Sequence, residues 1–115
     1  MYLIIGDFNA RIGKDSHISH PAEIGPHCFY DTTNDNGERL VNFCQEFKLR
    51  PSQSRSPHPK TRLWTWMHPT GSKQQLDHIL VNSKWANSLR NFRAYNSVEL
   101  DSDHRVLSIR LHTSL

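Results

Sequence analysis

A single mixed α/β unit, with strands dominating its second half, is the fold class the sequence predicts, and three observations predict it. Short apolar runs stop abruptly at glycine, asparagine or charged residues, as in "LIIGDFN" and "QLDHILVN". The clearest helical spacing of apolar residues falls in "NGERLVNFCQEFKLRP". The length, 115 residues, allows one domain at most.

Taken in order, Tyr2–Ile5 reads as a short, fully buried strand ended by Gly6. From Ile12 to about Asp35 the glycine and proline breaks and the lack of periodicity predict a loop. The helix follows: Asn36 is placed to cap it, Glu38 sits in its first turn, and Lys48 and Arg50 lie near its end, before Pro51. Leu40, Phe43, Cys44 and Phe47 form the face expected to pack on a sheet. Pro51–Lys60 is expected to be turn-like and solvated. "TRLWTWMH" alternates as a strand does and, across the turn "PTGSK", is expected to form a hairpin with "QLDHILVN". "SKWANSL" predicts a short second helix opened by Ser83, and "RNFRAY" and "DHRVLSIRL" two further strands.

Composition narrows the function classes. Only 36% of residues are hydrophobic, about 40% with the five glycines, against roughly 45–50% in ordinary domains. A net charge of +3 and 10% aromatic residues do not fit a disordered chain. A domain short of some packing partners is the other explanation. The 14 Lys and Arg favour polyanionic partners weakly, since they form no basic run. No stretch is long and apolar enough to span a bilayer, so no membrane partner is expected. Cys28 and Cys44 form no CxxC pattern and are expected to be free thiols. A zinc site from His17, His20, His27 and Cys28 is set aside, because the spacing matches no familiar structural pattern.

Three carboxylates share one oddity, lying beside or within apolar strands. They are Asp7 after "LII", Asp77 inside "QLDHILV" and Asp103 before "HRVLSIRL", with Asn9 and His104 in attendance. A charge in such a setting is costly unless it is paired, hydrogen-bonded or bound to a metal. One case would be a strand-end cap or a salt bridge. Three, accompanied by an amide and an imidazole, point to a site.

"LIIGDFNA", "QLDHILV" and "SDHRVL", in that order, resemble the last three motifs of the endonuclease/exonuclease/phosphatase superfamily. The intervening segments are similar to LINE-type retrotransposon endonuclease domains and to craniofacial development protein 2-like proteins. The resemblance covers nearly the whole chain. It implies the C-terminal half of a four-layer αββα sandwich, mainly one mixed or antiparallel sheet with one flanking helix and a short second one. It also implies a parent activity of metal-dependent DNA nicking by attack of water on phosphorus. Magnesium (or manganese) is the implied cofactor, weakly held, with no organic cofactor; DNA is the implied partner, and nuclear action follows from the resemblance alone.

On that resemblance Asp7 orients and deprotonates the water, and Asn9 donates to the phosphate. His104 donates to a phosphoryl oxygen, Asp77 fixes its ring, and Asp103 ligates the metal. Asn9, Arg11, Arg62 and Trp66 are the candidate nucleic-acid contacts, although the tryptophan face can equally pack in a core. The family's first half supplies a metal-binding glutamate with no counterpart in residues 1–115; Glu23 and Glu38 lie in the wrong motifs. The expectation is therefore a partial domain, poorly soluble and inactive or nearly so alone. A separate chain carrying the N-terminal half is one option. A domesticated, non-catalytic binding or structural module is the rival reading.

Overall fold

The computed structural model describes residues 3–55, 57, 63–95 and 104–111. Their architecture is α+β, with helices beside antiparallel sheets. β1 (Leu3–Asp7), β5 (Asp77–Asn82) and β2 (Leu49–Pro51) form a sheet in the order β1-β5-β2. β3 (Trp66–Met67) pairs with β4 (Lys73–Gln74), and β6 (Leu89–Tyr95) with β7 (Val106–Leu111). The helices are α1 (Lys14–Ser19) and α2 (Asp35–Phe47); 3-10 turns at Ser52–Ser54 and Ser83–Ser88 follow β2 and β5. No helix among the described residues is long and apolar enough to cross a membrane.

The core lies between α2 and the central strand β5. Gly37, Leu40, Val41 and Cys44 are the buried residues of α2, an i, i+3, i+4, i+7 set that makes one stripe. Against them pack Ala10, Ile12, Ile24, Cys28, Leu49 and Leu80. Each fully buried Val or Leu contributes about 1.5–3 kcal/mol, enough for this stripe to dock a helix of modest intrinsic propensity. The expected face is thus rotated: Phe43 is half-buried and Phe47 is 57% exposed, while Val41 points inward. The α2 N-cap is Asn34, not Asn36, because Asn34 Oδ1 accepts from Gly37 N at 2.8 Å. The helix ends at Lys48, in the left-handed conformation with φ 54°.

Four other expectations are corrected. β1 extends through Gly6 to Asp7, and Leu3, Ile4 and Ile5 are exposed, none of them belonging to a core cluster of the described residues. The segment after Ile12 is not all loop: α1 forms there, its Asp15 carboxylate accepting from Thr33 Oγ1 and N. Ser52, Gln53 and Ser54 are buried, not solvated. Ser54 accounts for part of this, accepting from Gly25 N at Oγ and from His27 N at its carbonyl. The hairpin is also rearranged, since β3 pairs with β4 while β5 lies between β1 and β2. The second helix opens at Ser83 as expected but is of the 3-10 type. The two final strands form as a pair, with a register shift between Arg90 and Arg93. Both cysteines are free and buried.

Candidate functional site

The first motif is held by two neighbouring elements. β1 ends at Asp7, and Asn9 follows with φ 47°, a left-handed conformation that asparagine tolerates better than most residues. Asn9 N donates to Asp7 Oδ1 at 2.8 Å, so the turn binds its own carboxylate. Asn36 Nδ2 donates to Asn9 O at 3.1 Å. Arg11 N donates to Asn34 Oδ1 at 3.1 Å, and Asn34 N returns a bond to Arg11 O. This close seating needs Gly37, where a Cβ would stand 1.9 Å from the Arg11 carbonyl oxygen.

β5 delivers the second carboxylate. In the β1–β5 ladder Asp7 lies directly opposite Asp77. Like charges in that relation destabilise a sheet, so the arrangement calls for a positive group between them. His104 supplies one candidate. Its Nδ1 donates to Asp77 Oδ2 at 2.8 Å, and its Nε2 is 3.8 Å from Asp7 Oδ2. An ionised carboxylate only accepts, so the bond to Asp77 puts a proton on Nδ1 and turns Nε2 toward Asp7. Asp77 is the most enclosed of the three side chains at 15% exposure, with His104 at 33% and Asp7 at 47%.

His104 is brought to β5 by β3. It forms an isolated antiparallel bridge with Trp66, and the two rings lie 6.4 Å apart between centroids. The next residue, Arg105, donates from N to Thr65 O at 2.8 Å and from Nη1 to Trp64 O at 3.1 Å. Its guanidinium stacks 4.1 Å from the Trp64 ring centroid. Thr65, fully buried, is the junction: its Oγ1 accepts from Leu76 N at 2.9 Å and Asp77 N at 3.1 Å. One threonine thus fixes the start of β5 with its hydroxyl and the His104 segment with its carbonyl.

Asp7, Asp77 and His104 are therefore brought together, with one ligand atom from each inside a span of 4.8 Å. The carboxylate oxygens at that separation are hard donors that one divalent cation can bridge, with the imidazole beside them placed to ligate through a bare Nε2 or to donate a hydrogen bond from it. Asp103 and Arg62 lie outside the described residues. Asn9 is joined to Asp7 as described. Trp66 packs edge-on against His68 as well as near His104, and is half-buried. Arg11 is exposed, its guanidinium 5.7 Å from the Tyr30 ring centroid.

Sequence reasoning missed Thr65, Arg105 and Asn36. The one sequence signal for Thr65 is its place between two tryptophans in a strand pattern, which puts it on the opposite face from both.

No family model matches the chain, and no solved structure does. Two curated relatives are similar to it: craniofacial development protein 2 of Tragulus javanicus and of Bos taurus, each 28% identical over 113 residues. The match covers 97% of this chain but only 19% and 18% of the relatives, so the chain spans about a fifth of their length.

Proposed function

We propose that this chain carries the water-activating and phosphate-binding part of a metal-dependent phosphodiesterase site, with DNA nicking as the parent activity. The observation that carries the reading is the convergence of Asp7, Asp77 and His104 from three separate parts of the chain. Asp7 binds its own turn and Asp77 holds His104. Setting the two carboxylates directly opposite each other is nevertheless costly for a sheet, and paired carboxylates are what a phosphoryl-transfer site uses. The relation to craniofacial development protein 2 supports the reading through the resemblance of the "GDFN", "LDH" and "SDH" motifs to the endonuclease/exonuclease/phosphatase superfamily.

The division of labour we propose is the one the family resemblance implies, and the geometry is compatible with it. Asp7, half-exposed at the strand end, orients a water and takes its proton. His104, protonated at Nε2, donates to a phosphoryl oxygen, while Asp77 holds its Nδ1–H and so the plane of its ring. Asn9 donates from its amide to the phosphate, in a turn fixed through Asp7 and Asn36. Magnesium or manganese held by these carboxylates, with Asp103 as a further ligand, would draw charge from the phosphoryl oxygens. Trp66, Arg11 and Arg62 are proposed to contact the flanking strand.

We further propose that the unit is the C-terminal half of an αββα sandwich and needs more polypeptide for full activity. The exposed leucine and isoleucines of β1 support this, as does the much greater length of the relatives. Plasmid nicking by the pure chain tests both parts. The expected result is slow, magnesium-dependent nicking that EDTA and Asp7→Ala abolish, because losing even one electrostatic element of such a site costs roughly 10²–10³ in rate. Robust nicking by the chain alone would overturn its incompleteness. A folded chain that neither nicks alone nor binds manganese through Asp7 would favour the non-catalytic module instead.

A further inference from the structure

Behind the carboxylates, on the other side of β5, lies a buried polar chain that the mechanism does not use. His78 follows Asp77 on the strand, so its side chain projects to the opposite face. There it is fully buried, and Gln53 beside it is 2% exposed. Polar groups so deeply buried are costly unless bonded.

Three residues define the chain. His78 Nε2 is 2.9 Å from Ala10 O, and His78 Nδ1 is bonded to Gln53 Nε2. Ala10 O can only accept, so Nε2 must carry the proton. A neutral ring then has a bare Nδ1, which requires the amide nitrogen of Gln53 rather than its oxygen. The requirement at one end thus fixes the tautomer of the ring and the orientation of the amide. Gln53 Oε1, accordingly, has no partner among the described residues. The Phe8 ring meets His78 edge-on with centroids 6.0 Å apart, which closes the remaining side.

Ala10 matters because of its neighbour. Its carbonyl comes one residue after Asn9, whose φ of 47° must be held by surrounding contacts. Asn36 holds that turn at Asn9 O, Asp7 at Asn9 N, and His78 immediately beyond it at Ala10 O.

We propose that His78, held as its Nε2–H tautomer between the Ala10 carbonyl and the Gln53 amide, is a positioning residue that fixes the Asp7–Asn9 turn through that carbonyl. The inference rests on the phosphodiesterase reading for its purpose, but not for its geometry. Gln53 serves as the backstop that keeps the imidazole donor aimed at the turn.

The test uses the full chain, labelled with nitrogen-15, and two readouts. The first is the Asn9 and Ala10 amide resonances together with the His78 ring nitrogens. The second is the affinity for manganese. His78→Phe keeps a planar ring but removes both bonds; His78→Gln restores a donor near the Nε2 position. His78→Phe is expected to shift the Asn9 and Ala10 amides and to weaken manganese binding roughly tenfold, the lower end for lost outer partners of metal ligands. His78→Gln is expected to recover most of both effects, which a purely space-filling role would not produce. Should His78→Phe fail to fold, Gln53→Met is the second variant, expected to leave the proton on Nε2 but to loosen the ring's aim and so shift the same two amides. Unchanged Asn9 and Ala10 resonances in a folded variant, or a His78 ring protonated at Nδ1 in the wild type, would overturn the proposal. If the amides respond but the wild type binds no manganese, the positioning stands and the phosphodiesterase reading fails.

Discussion

β1 and β5 are hydrogen-bonded neighbours with nearly the same apolar chemistry, yet they live in opposite environments. Leu3, Ile4 and Ile5 are 39%, 37% and 63% exposed, whereas Ile79, Leu80 and Val81 are 3%, 0% and 0%. The difference is what covers the faces: Ile79, Leu80 and Val81 each join a core cluster, and Leu3, Ile4 and Ile5 join none among the described residues. Edge position alone does not expose a strand, since β2 is also an edge and Leu49 in it is 2% exposed. Apolar composition makes a strand; what lies on its faces decides whether burial follows. The two strands nevertheless end at one point, where Asp7 and Asp77 face each other. The well-packed strand holds its carboxylate at 15% exposure and the open strand leaves its own at 47%. That asymmetry suits one carboxylate to brace a histidine and the other to meet water.

The comparison can be broken most directly by truncation. Leu80→Ala is expected to destabilise the chain by about 2–5 kcal/mol, whereas Ile5→Ala should change stability by less than about 0.5 kcal/mol. Urea unfolding of the two variants measures both. Equal losses would mean that β1 is as buried as β5.

The thiols sharpen the comparison on the packed side. Burial is the main cause that pushes Cys28 up to about 11 and Cys44 up to about 12, from an ordinary 9.0. Both values lie above those of the unfolded chain, so their stabilisation is complete below pH 9 and is lost as pH rises through 9 toward 11–12. Neither thiol should react with Ellman's reagent at pH 8 until urea unfolds the chain.

At the shared end the expected effect is smaller and of opposite sign. Asp7→Asn relieves the like-charge opposition with Asp77 and should stabilise the metal-free chain by about 0.2–1 kcal/mol, while weakening manganese binding. A thermal melt in EDTA reads the first effect and a manganese titration the second. Smallest of all, Ile5→Lys should leave the melting temperature almost unchanged but reduce self-association in sedimentation velocity, because a lysine on an edge strand blocks further pairing.

Much of this was legible in the sequence, for physical reasons. Asp7, Asp77 and Asp103 stood out because a charge is expensive beside an apolar run, with Asn9 and His104 in attendance. The structure brings Asp7, Asp77 and His104 together, and Asp103 lies outside the described residues. The helix at α2 was legible from its period, although not its rotation, since Phe43 and Phe47 share the spacing that Val41 and Gly37 use for burial. Pairing was not legible. The segment containing β5 looked like the partner of its sequence neighbour, but its ladder runs to β1, some seventy residues away, and periodicity carries no information about distant partners. The burial of Gln53 was likewise hidden, because a glutamine in a polar stretch shows its purpose only when His78 is beside it. The sequence pointed to Asn36 as the cap; the nearby Asn9 carbonyl engages Asn36, and Asn34 caps the helix instead.

The central claim is that Asp7, Asp77 and His104 act together as a cation-dependent phosphate site. Paramagnetic broadening by manganese in the nitrogen-15 spectrum of the full chain tests it most directly. The account predicts broadening that starts at residues 7, 77 and 104 at low manganese and disappears in Asp7→Asn/Asp77→Asn. Broadening centred elsewhere, or identical in that double variant, would contradict it.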